Sequence, residues 1–448
     1  MYAIYSLLIL IIGVIASPYL AYQAIRYKKY VSSFGQRMGY LPVTFNLDGE
    51  ESIWIHAVSV GEALTVRALI SDLKQRYPKF RIFLSTTTMA GQQVARRNVQ
   101  DIDAVFYFPF DLSFIVRRTL RLVNPRLFIM METEIWPNLL RECKRRNVAT
   151  VMVNGRISSR SYPRYKLARP FFRRVLADID RFCMQSEESA RRLVDIGADP
   201  DRVVVTGSLK FDSMEVPGAA SIEGRGQNRV LRYFRMASGR PVIVAGSTMR
   251  DEEEIVLQAF RRVKSNVGGA NPLLVIAPRN PDRFSEVAHL VRNQAFVIAR
   301  RTDLPIDAEP RAEVVVLDTM GELAQVYQIA TAVFVGGSLV DVGGHNILEP
   351  AVFGKPILFG PHMQNFKEIA DAFITHDAGI QVHNARGLAD ALIGLLADPV
   401  RRARLGAAAR ALVESNRGAK DKSLGVIAQL MPLRSGSRGV VRPFRVVH

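Results

Sequence analysis

Short apolar runs alternate with longer amphipathic segments along most of this chain. The runs are rich in β-branched residues, and the segments between them, such as residues 62–77, repeat apolar positions at helical spacing. The runs cover residues 53–57, 81–86, 104–108, 126–131, 149–153, 181–185 and 202–207, and then 241–247, 272–278, 295–299, 313–318, 331–338 and 355–360. This alternation predicts strand-helix-strand units that form parallel sheets.

One break in the pattern divides the chain into two α/β halves. Residues 217–229 are polar and glycine-rich and have no periodicity, which is typical of a linker. The loops that follow the strands of both halves are expected to line a central cleft. The alanine-rich helix predicted at 401–416 could return to the first half. The predicted organisation is a membrane anchor at 1–25, a Rossmann-like domain at 26–216, a linker at 217–239, a second Rossmann-like domain at 240–400, and a C-terminal helix with a basic tail at 401–448.

The first 25 residues contain no charged side chain, and most of them are apolar. Such a segment is almost long enough to cross a hydrocarbon core of about 30 Å. Arg26, Lys28 and Lys29 follow directly, so the segment predicts a single anchor with the body of the chain on the cytoplasmic side. Pro18 interrupts the run, and a half-inserted anchor or a buried helix is the alternative.

Composition and charge narrow the class of protein. The 448 residues are 48% hydrophobic, which excludes a disordered chain, and the formal net charge is +18. This excess predicts an anionic partner, which could be nucleic acid, an anionic membrane, or a phosphorylated or carboxylated substrate. Residues 401–448 alone hold 11 basic and 2 acidic side chains. The two cysteines, Cys143 and Cys183, have no CxxC spacing and exclude a disulfide framework or a zinc ribbon.

Candidate catalytic residues follow strands of the first half. Glu62 comes just after a strand and Gly61, where it could complement the dipole of a helix or serve as a general base. Glu132 and Glu134 follow a strongly apolar strand, which makes them difficult to explain as ordinary surface residues. Lys210 also follows a strand, and its charge could stabilise a departing phosphate or a substrate carboxylate.

The second half contains residues suited to a nucleotide monophosphate. Arg279, which follows a strand, can make bidentate contacts to a phosphate. Residues 320–322 open a helix whose free amides could hold an anion. Asn346 and Glu349 are three residues apart on the next helix, where the carboxylate could bind both hydroxyls of a ribose. The chain contains neither a GxGxxG fingerprint nor a P-loop motif.

No metal site and no cofactor are predicted. The seven histidines have no paired spacing, and we interpret them as core or surface residues. The acidic pairs at residues 101–103 and 178–180 match a bare DxD pattern, but both pairs precede strands and are interpreted as turn residues.

Six motifs in order give the chain a specific resemblance. They are SVGE, METEIWPN, NGRISSRS, GSLKFD, DTMGEL and VGGSLVDVGGHNILEPA, spread across residues 50–380. The set resembles the 3-deoxy-D-manno-octulosonic acid (Kdo) transferases of lipopolysaccharide biosynthesis. The resemblance implies the GT-B glycosyltransferase fold and an enzyme at the cytoplasmic face of the cell inner membrane. It implies inverting, metal-independent transfer of Kdo from CMP-Kdo to the lipid A precursor, lipid IVA.

The same resemblance implies roles for individual residues. It makes Glu62 the base that deprotonates the acceptor hydroxyl, and it makes Glu132 and Lys210 the groups that stabilise the transition state. The residues that it places around CMP are Pro278, Arg279, Met320, Gly321, Glu322, Asn346, Ile347, Leu348 and Glu349. The chain has Asn280 and Met249 at two positions where the family carries histidine.

Two other hypotheses remain open at this point. The first is a GT-B enzyme that uses a UDP-sugar instead of CMP-Kdo. The second is a non-catalytic binder of membrane or nucleic acid that depends on the net charge of +18. Nucleic acid is not a predicted partner, because neither RNP-like aromatic residues nor a basic recognition helix is visible.

Overall fold

The computed structural model describes residues 2–27, 31–42, 45–99, 101–213, 230–234, 240–267, 269 and 271–431. The chain forms two compact units, one made of residues 1–213 with 417–448 and the other of residues 214–416. The predicted linker segment 217–229 and most of the predicted basic tail, from residue 432 onward, lie outside the described residues.

The first unit contains a seven-stranded parallel sheet with the order β3-β2-β1-β4-β5-β6-β7. Its strands are β1 (Ser52–His56), β2 (Arg81–Thr86), β3 (Ala104–Tyr107), β4 (Pro125–Met131), β5 (Ala149–Gly155), β6 (Arg181–Met184) and β7 (Val203–Val205). Its helices up to residue 213 are α1 (Tyr2–Tyr27), α2 (Val31–Arg37), α3 (Val60–Arg76), α4 (Met89–Asn98), α5 (Ser113–Val123), α6 (Pro137–Arg145), α7 (Tyr162–Leu167), α8 (Arg169–Leu176), α9 (Glu187–Ile196) and α10 (Leu209–Asp212). The predicted α/β architecture of this half is confirmed.

The apolar runs become strands that are buried on both faces. All five residues of β1 are buried, and alternate side chains enter two separate cores. Trp54 packs with Phe128 on one face of the sheet, while Ile53 and Ile55 pack on the other. Because the chain reverses its direction of winding between β1 and β4, the loops after these two strands diverge and leave room for a site.

Helix α1 does not support the predicted membrane-spanning anchor. Among the described residues, no helix combines the length and the hydropathy needed to cross a membrane. The hydroxyl of Tyr5 donates to Asp111 at 3.0 Å, Tyr2 donates to Asp178, and Ser6 bonds to Asn138. These contacts hold the first turns of α1 against the rest of the first unit. A membrane-spanning helix would instead be surrounded by lipid on every side.

The second unit repeats the doubly wound arrangement, with strand order β10-β11-β9-β8-β12-β13-β14. Its strands are β8 (Val242–Thr248), β9 (Leu273–Pro278), β10 (Ile298–Arg300), β11 (Val314–Val316), β12 (Ala332–Val335), β13 (Ile357–Phe359) and β14 (Ile380–Gln381). Its helices are α11 (Glu252–Asn266), α12 (Phe284–Asn293), α13 (Leu323–Val326), α14 (Leu348–Ala351), α15 (Lys367–Thr375), α16 (Ala385–Ala397) and α17 (Pro399–Ser415). The switch point of this sheet lies between β8 and β12.

The helix that returns to the first unit is α18 (Ala419–Leu430), whereas α17, expected at 401–416, belongs to the second unit. The Asp212 carboxylate at the end of α10 accepts the backbone N–H groups of Gly418 and Lys420, both at 2.7 Å. Ile427 of α18 lies in the core beneath the first sheet. The return is therefore fixed by a charged cap and by apolar burial.

A buried carboxylate fixes the loop after β12 in the second unit. The Glu252 side chain is fully buried and accepts the backbone N–H groups of Gly337 (2.7 Å), Ser338 (3.0 Å), Leu339 (2.9 Å) and Met249 (3.1 Å). Four donors compensate for the cost of removing this charge from water. Glu252 therefore joins the two loops that diverge at the switch point.

Glu252→Ala should lower the free energy of unfolding by roughly 2–4 kcal/mol, because it leaves buried N–H groups without an acceptor. Hydrogen exchange should show lost protection at residues 337–339 before it shows loss elsewhere. The matched control is Glu254→Ala, which removes an exposed acid two residues along the same helix and should leave stability nearly unchanged. Equal effects of the two substitutions would contradict this assignment.

Candidate active site

The first part of the candidate site is Glu62, at the start of α3. Ser59 caps this helix, and its hydroxyl also donates to Oε1 of Glu62 at 2.8 Å. The backbone N–H of Val58 donates to Oε2 at 2.9 Å. These two bonds hold the carboxylate in place and still leave it lone pairs that can accept a further proton.

The second part is the turn after β4, where Glu132 and Glu134 lie. Glu132 has a positive φ of 53°, and its backbone N–H donates to the carbonyl of Val153 at 3.0 Å. A left-handed conformation is costly for a side chain with a Cβ, and such strain is often found at functional sites. Oε2 of Glu134 accepts the indole N–H of Trp136 at 3.0 Å.

The structure brings the acids of the two turns together, because β1 and β4 are neighbours in the sheet. The pKa of Glu62 is raised to about 7, first by burial and then by the negative charge of Glu132, with a smaller effect from Glu134. The hydrogen bonds from Val58 and Ser59 act in the opposite direction. A carboxyl with this pKa can exchange a proton near neutral pH, as a general base must.

His56 lies beside these acids, although sequence reasoning assigned it no role. It is the last residue of β1, and its Nε2 lies 3.7 Å from Oε2 of Glu134. Its ring stacks on Phe108, with centroids 3.9 Å apart. A lone histidine at the end of an apolar run gives no signal of this contact, because the partner is supplied by a neighbouring strand.

Lys210 is positioned through Asn154, the first residue of the NGRISSRS motif, to which sequence reasoning assigned no individual role. Asn154 ends β5, has a positive φ of 58° and is almost fully buried. Its Oδ1 accepts the backbone N–H of Leu209 at 3.0 Å, which fixes the start of α10 and so positions Lys210. Since β5 pairs with β4, the loops that carry Lys210 and Glu132 leave the same edge of the sheet.

In the second unit the structure brings together Arg279, His345 and Glu349. Arg279 is exposed just after β9, and its backbone N–H donates to the carbonyl of Thr248 at 2.9 Å. Burial raises the pKa of Glu349, while the Asn346 hydrogen bond and the charge of Arg279 lower it. Burial lowers the pKa of His345 to about 4, and Arg279 acts in the same direction. A neutral imidazole, a guanidinium and a carboxylate therefore lie close together.

Other residues predicted around CMP have structural contacts of their own. The Glu322 carboxylate is bound by Arg301, at 3.0 Å and 2.8 Å, and by the hydroxyl of Thr319. Met320 is 60% exposed, and Gly321 has a positive φ of 84°. Glu322 therefore shapes the loop, and the exposed part of that loop is Met320 and Gly321.

The side chains of Ile347 and Leu348 are fully buried, so only their backbone groups could contact a ligand. Pro278, the last residue of β9, directs the chain towards Arg279. At one of the two positions that differ from the family pattern, the backbone of Met249 donates to Glu252 at 3.1 Å. At the other, Asn280 is exposed beside Arg279.

The last acid of each DxD pattern accepts a structural hydrogen bond, in keeping with the interpretation of these patterns as turns. Asp103 accepts the backbone N–H of Ile82 at 2.7 Å, and Asp180 accepts that of Thr150 at 2.9 Å. Within the described ranges, no group of three or more histidine, cysteine or acidic side chains is arranged to hold a metal ion.

Glu62→Gln should stabilise the protein in a pH-dependent way. The folded-state pKa is raised to about 7 from an ordinary value of 4.5, so the stability that the neutral acid contributes is lost as the pH rises through 7. The amide cannot ionise, and the variant should gain roughly 1–2 kcal/mol over the wild type at pH 8 and little at pH 5. Melting temperatures at both pH values measure the difference.

The control for that measurement is Glu51→Gln, which changes an exposed acid just before β1. The difference in melting temperature between this variant and the wild type should not vary with pH between 5 and 8. A pH-independent difference for Glu62→Gln would show that the carboxyl does not carry the shifted titration.

Comparisons with known proteins agree with the motif set. Residues 32–213 match the model of the family described as 3-Deoxy-D-manno-octulosonic-acid transferase (kdotransferase). A 3-deoxy-D-manno-octulosonic acid transferase from Haemophilus influenzae is 32% identical over 429 residues, which are 94% of this chain and 97% of that protein. A bifunctional glycosyltransferase/methyltransferase from Fusobacterium nucleatum is 36% identical over 78% of this chain, and the chain spans 53% of that relative's length.

Solved structures support the fold. The UDP-GlcNAc 2-epimerase of Neisseria meningitidis covers 85% of this chain with a TM-score of 0.57 at 13% identity, a likeness of fold alone. A glycosyltransferase from Rickettsia africae covers 86% with a TM-score of 0.54. Both share the arrangement of two parallel-sheet α/β domains. The 32% identity over nearly the full length of the Haemophilus protein, together with the family match and the ordered motifs, shows that this chain belongs to the 3-deoxy-D-manno-octulosonic acid (Kdo) transferase family.

Proposed function

We propose that this protein is an inverting, metal-independent glycosyltransferase that moves Kdo from CMP-Kdo to lipid IVA, the lipid A precursor. The observation that carries the proposal is the position of Glu62 beside Glu132, with a pKa near 7, in a chain of the Kdo transferase family. An inverting transfer needs one base on the acceptor side, and a base that titrates near neutral pH meets this need.

In the proposed reaction the Glu62 carboxylate takes the proton of an acceptor hydroxyl. The hydroxyl oxygen forms a bond to the anomeric carbon of Kdo, while the bond from that carbon to the CMP phosphate breaks and its electron pair leaves with CMP. Positive charge that develops on the sugar is stabilised by Glu132, and negative charge on the phosphate is stabilised by Lys210. Each role matches the sign of the charge that the residue carries.

We assign the CMP moiety to the second unit. The exposed guanidinium of Arg279 can bind the phosphate in a bidentate manner. Glu349, which Asn346 contacts at 3.3 Å, can accept hydrogen bonds from the ribose hydroxyls. The backbone groups of Met320 and Gly321 are accessible to the cytosine edge. In this assignment Glu322 positions the loop and does not itself contact the base.

The lipid acceptor requires a protein that works at a membrane, and we propose the cytoplasmic face of the inner membrane. Helix α1 presents exposed apolar side chains that suit contact with an acyl layer, namely Ile4, Leu7, Leu8, Leu10, Ile11, Ile12, Val14 and Ile15. The first unit also contains a basic stretch, since residues 156–192 hold 10 basic and 4 acidic side chains. Such a surface is attracted to anionic lipids and to a phosphorylated acceptor.

Glu62→Gln should lower kcat for transfer from CMP-Kdo to lipid IVA by roughly 100-fold or more, because the amide cannot take the proton. CMP should bind to this variant with unchanged affinity. In the wild type, kcat/KM should rise with pH through an apparent pKa of about 7, as Glu62 becomes ionised. Mass spectrometry of the lipid product measures both the rate and the number of Kdo groups added. Full activity in Glu62→Gln would refute the base assignment.

Arg279→Ala should weaken CMP binding by roughly 10- to 100-fold, since it removes a charged partner of the phosphate. Arg250→Ala is the control, because Arg250 is exposed in the same unit and pairs with Glu286. Calorimetric titration with CMP and UDP compares the two nucleotides directly. Tighter binding of UDP would favour a UDP-sugar donor. Equal binding of CMP to both variants would show that Arg279 does not bind the phosphate.

A further inference from the structure

The loop at residues 318–322 is held at both ends by the short turn that follows β10. At the start of the loop, the Asp318 carboxylate accepts the backbone N–H of Thr302 at 3.0 Å and the Thr302 hydroxyl at 2.8 Å. At its end, Nη2 of Arg301 donates to Oε1 of Glu322 at 3.0 Å, and Nε of Arg301 lies 2.8 Å from Oε2. Because β10 and β11 are neighbours in the parallel sheet, the turn and the loop leave the same edge. The exposed middle of the loop therefore lies between two fixed ends.

The side chain of Arg301 is almost fully buried, which is uncommon for an arginine. A guanidinium that has been removed from water needs partners both at its edge and on its flat faces. Its edge is bound to Glu322, and one face is covered by the ring of Tyr233, whose centroid lies 3.4 Å from the guanidinium carbon. Stacking of a cation on an aromatic face is attractive, and more so where water is excluded. The position of Arg301 therefore depends on Tyr233 as well as on Glu322.

Tyr233 belongs to the first segment of the second unit that the structure describes, residues 230–234. This segment is fixed by contacts of its own. Phe234 is buried, and Nε of Arg232 donates to both carboxylate oxygens of Asp307 at 3.1 Å. The backbone N–H of Asp307 donates in turn to the carbonyl of Arg232 at 2.7 Å. The Tyr233 ring is thus presented to Arg301 from an anchored segment.

We propose that Tyr233 and Arg301 are positioning residues for nucleotide binding. The stacked pair fixes Glu322, and Glu322 fixes the 318–322 loop in the conformation that accepts CMP. The inference rests on the proposed function, because it takes the exposed backbone of this loop to contact the nucleotide. Neither residue of the pair belongs to the six motifs that carry the family resemblance.

Coupling between the stacked pair and the nucleotide must act in both directions. If the pair favours the loop conformation that binds CMP, then bound CMP must favour the stacked pair by the same free energy. CMP should therefore stabilise residues 230–234, although no contact between that segment and the nucleotide is proposed. A residue that only stabilises the fold would not transmit this effect.

Arg240 provides a matched control, because it is a second buried arginine in the same unit. Its Nη1 donates to Glu309 at 2.9 Å and to the carbonyl of Pro310 at 2.8 Å, and its Nη2 donates to the carbonyl of Ala312 at 2.7 Å. None of these partners lies in the 318–322 loop. Removal of Arg240 should therefore disturb the fold without changing the loop.

Calorimetric titration of the full chain with CMP tests the positioning role. Arg301→Gln should weaken CMP binding about tenfold, because Glu322 loses its charged partner. Tyr233→Leu should weaken it by about threefold to tenfold, whereas Tyr233→Phe, which keeps the aromatic face, should stay within about twofold of the wild type. Arg240→Gln should also stay within about twofold. Unchanged binding in Arg301→Gln, or an equal loss in Arg240→Gln, would overturn the proposal.

Steady-state kinetics separate positioning from a loss of folded enzyme. Arg301→Gln should raise KM for CMP-Kdo about tenfold and leave kcat within about twofold, because the lost binding affects the bound donor and the transition state alike. A fall in kcat at unchanged KM would instead indicate a smaller amount of folded enzyme, and it would refute the positioning role.

Hydrogen exchange tests the coupling directly. In the wild type, saturating CMP should slow exchange at residues 230–234 about threefold or more, and this protection should be absent in Arg301→Gln saturated with CMP. Without CMP, Tyr233→Leu should exchange faster than the wild type at residues 319–322. Unchanged exchange at both segments would contradict the coupling.

These experiments separate failure of this inference from failure of the proposed function. If CMP does not bind to the wild type, the proposed function fails, while exchange at residues 319–322 in Tyr233→Leu still decides whether the stacked pair fixes the loop. If Arg279→Ala weakens CMP binding but Arg301→Gln does not, the proposed function stands and the positioning role is refuted.

Discussion

Glu62, Glu132 and Glu134 lie just after the neighbouring strands β1 and β4. Repulsion between their carboxylates is the constraint on which the site in the first unit depends. At a separation of about 5 Å and an effective dielectric constant of about 20, two unit charges repel by about 3 kcal/mol, a large fraction of the stability of a typical domain. The parallel sheet makes this crowding possible, because the carboxyl ends of neighbouring strands lie at one edge. The backbone N–H of Val58 holds the Glu62 carboxylate there, and burial, followed by the charge of Glu132, raises the pKa of Glu62 to about 7.

The buried acids of this protein differ in how completely they are hydrogen-bonded. Glu252 has four backbone donors, and the buried Asp111 has two, together with the hydroxyl of Tyr5. Glu62 has one backbone donor and one hydroxyl, with the charge of Glu132 close by. Completed hydrogen bonding makes a carboxylate part of the fold, whereas incomplete hydrogen bonding leaves it available to react.

The sequence was sufficient to predict the sheets, because short β-branched runs that must be buried on both faces can form few structures other than strands of a parallel sheet. It missed β14, since two residues at a sheet edge leave almost no pattern. It predicted a membrane anchor from hydropathy alone, and could not show that Tyr5 reaches Asp111, 106 positions along the chain. His56 was missed for the same reason. Its partners lie on β2 and beyond β4, and local sequence carries no information about contacts between residues so far apart in the chain.

The motif around residues 346–349 shows why a family pattern predicts the position of a loop more reliably than the role of each side chain in it. Asn346 and Glu349 meet at 3.3 Å, while Ile347 and Leu348 between them are fully buried. The oxygen of the Asn346 side chain also accepts the backbone N–H of Leu348 at 3.1 Å, so one polar residue both begins the turn and orients its neighbour. The apolar pair provides the burial that fixes the turn, and in the proposed function the polar pair contacts the ribose. The geometry of the turn therefore accounts for all four residues of the motif, although only two of the side chains could contact a ligand.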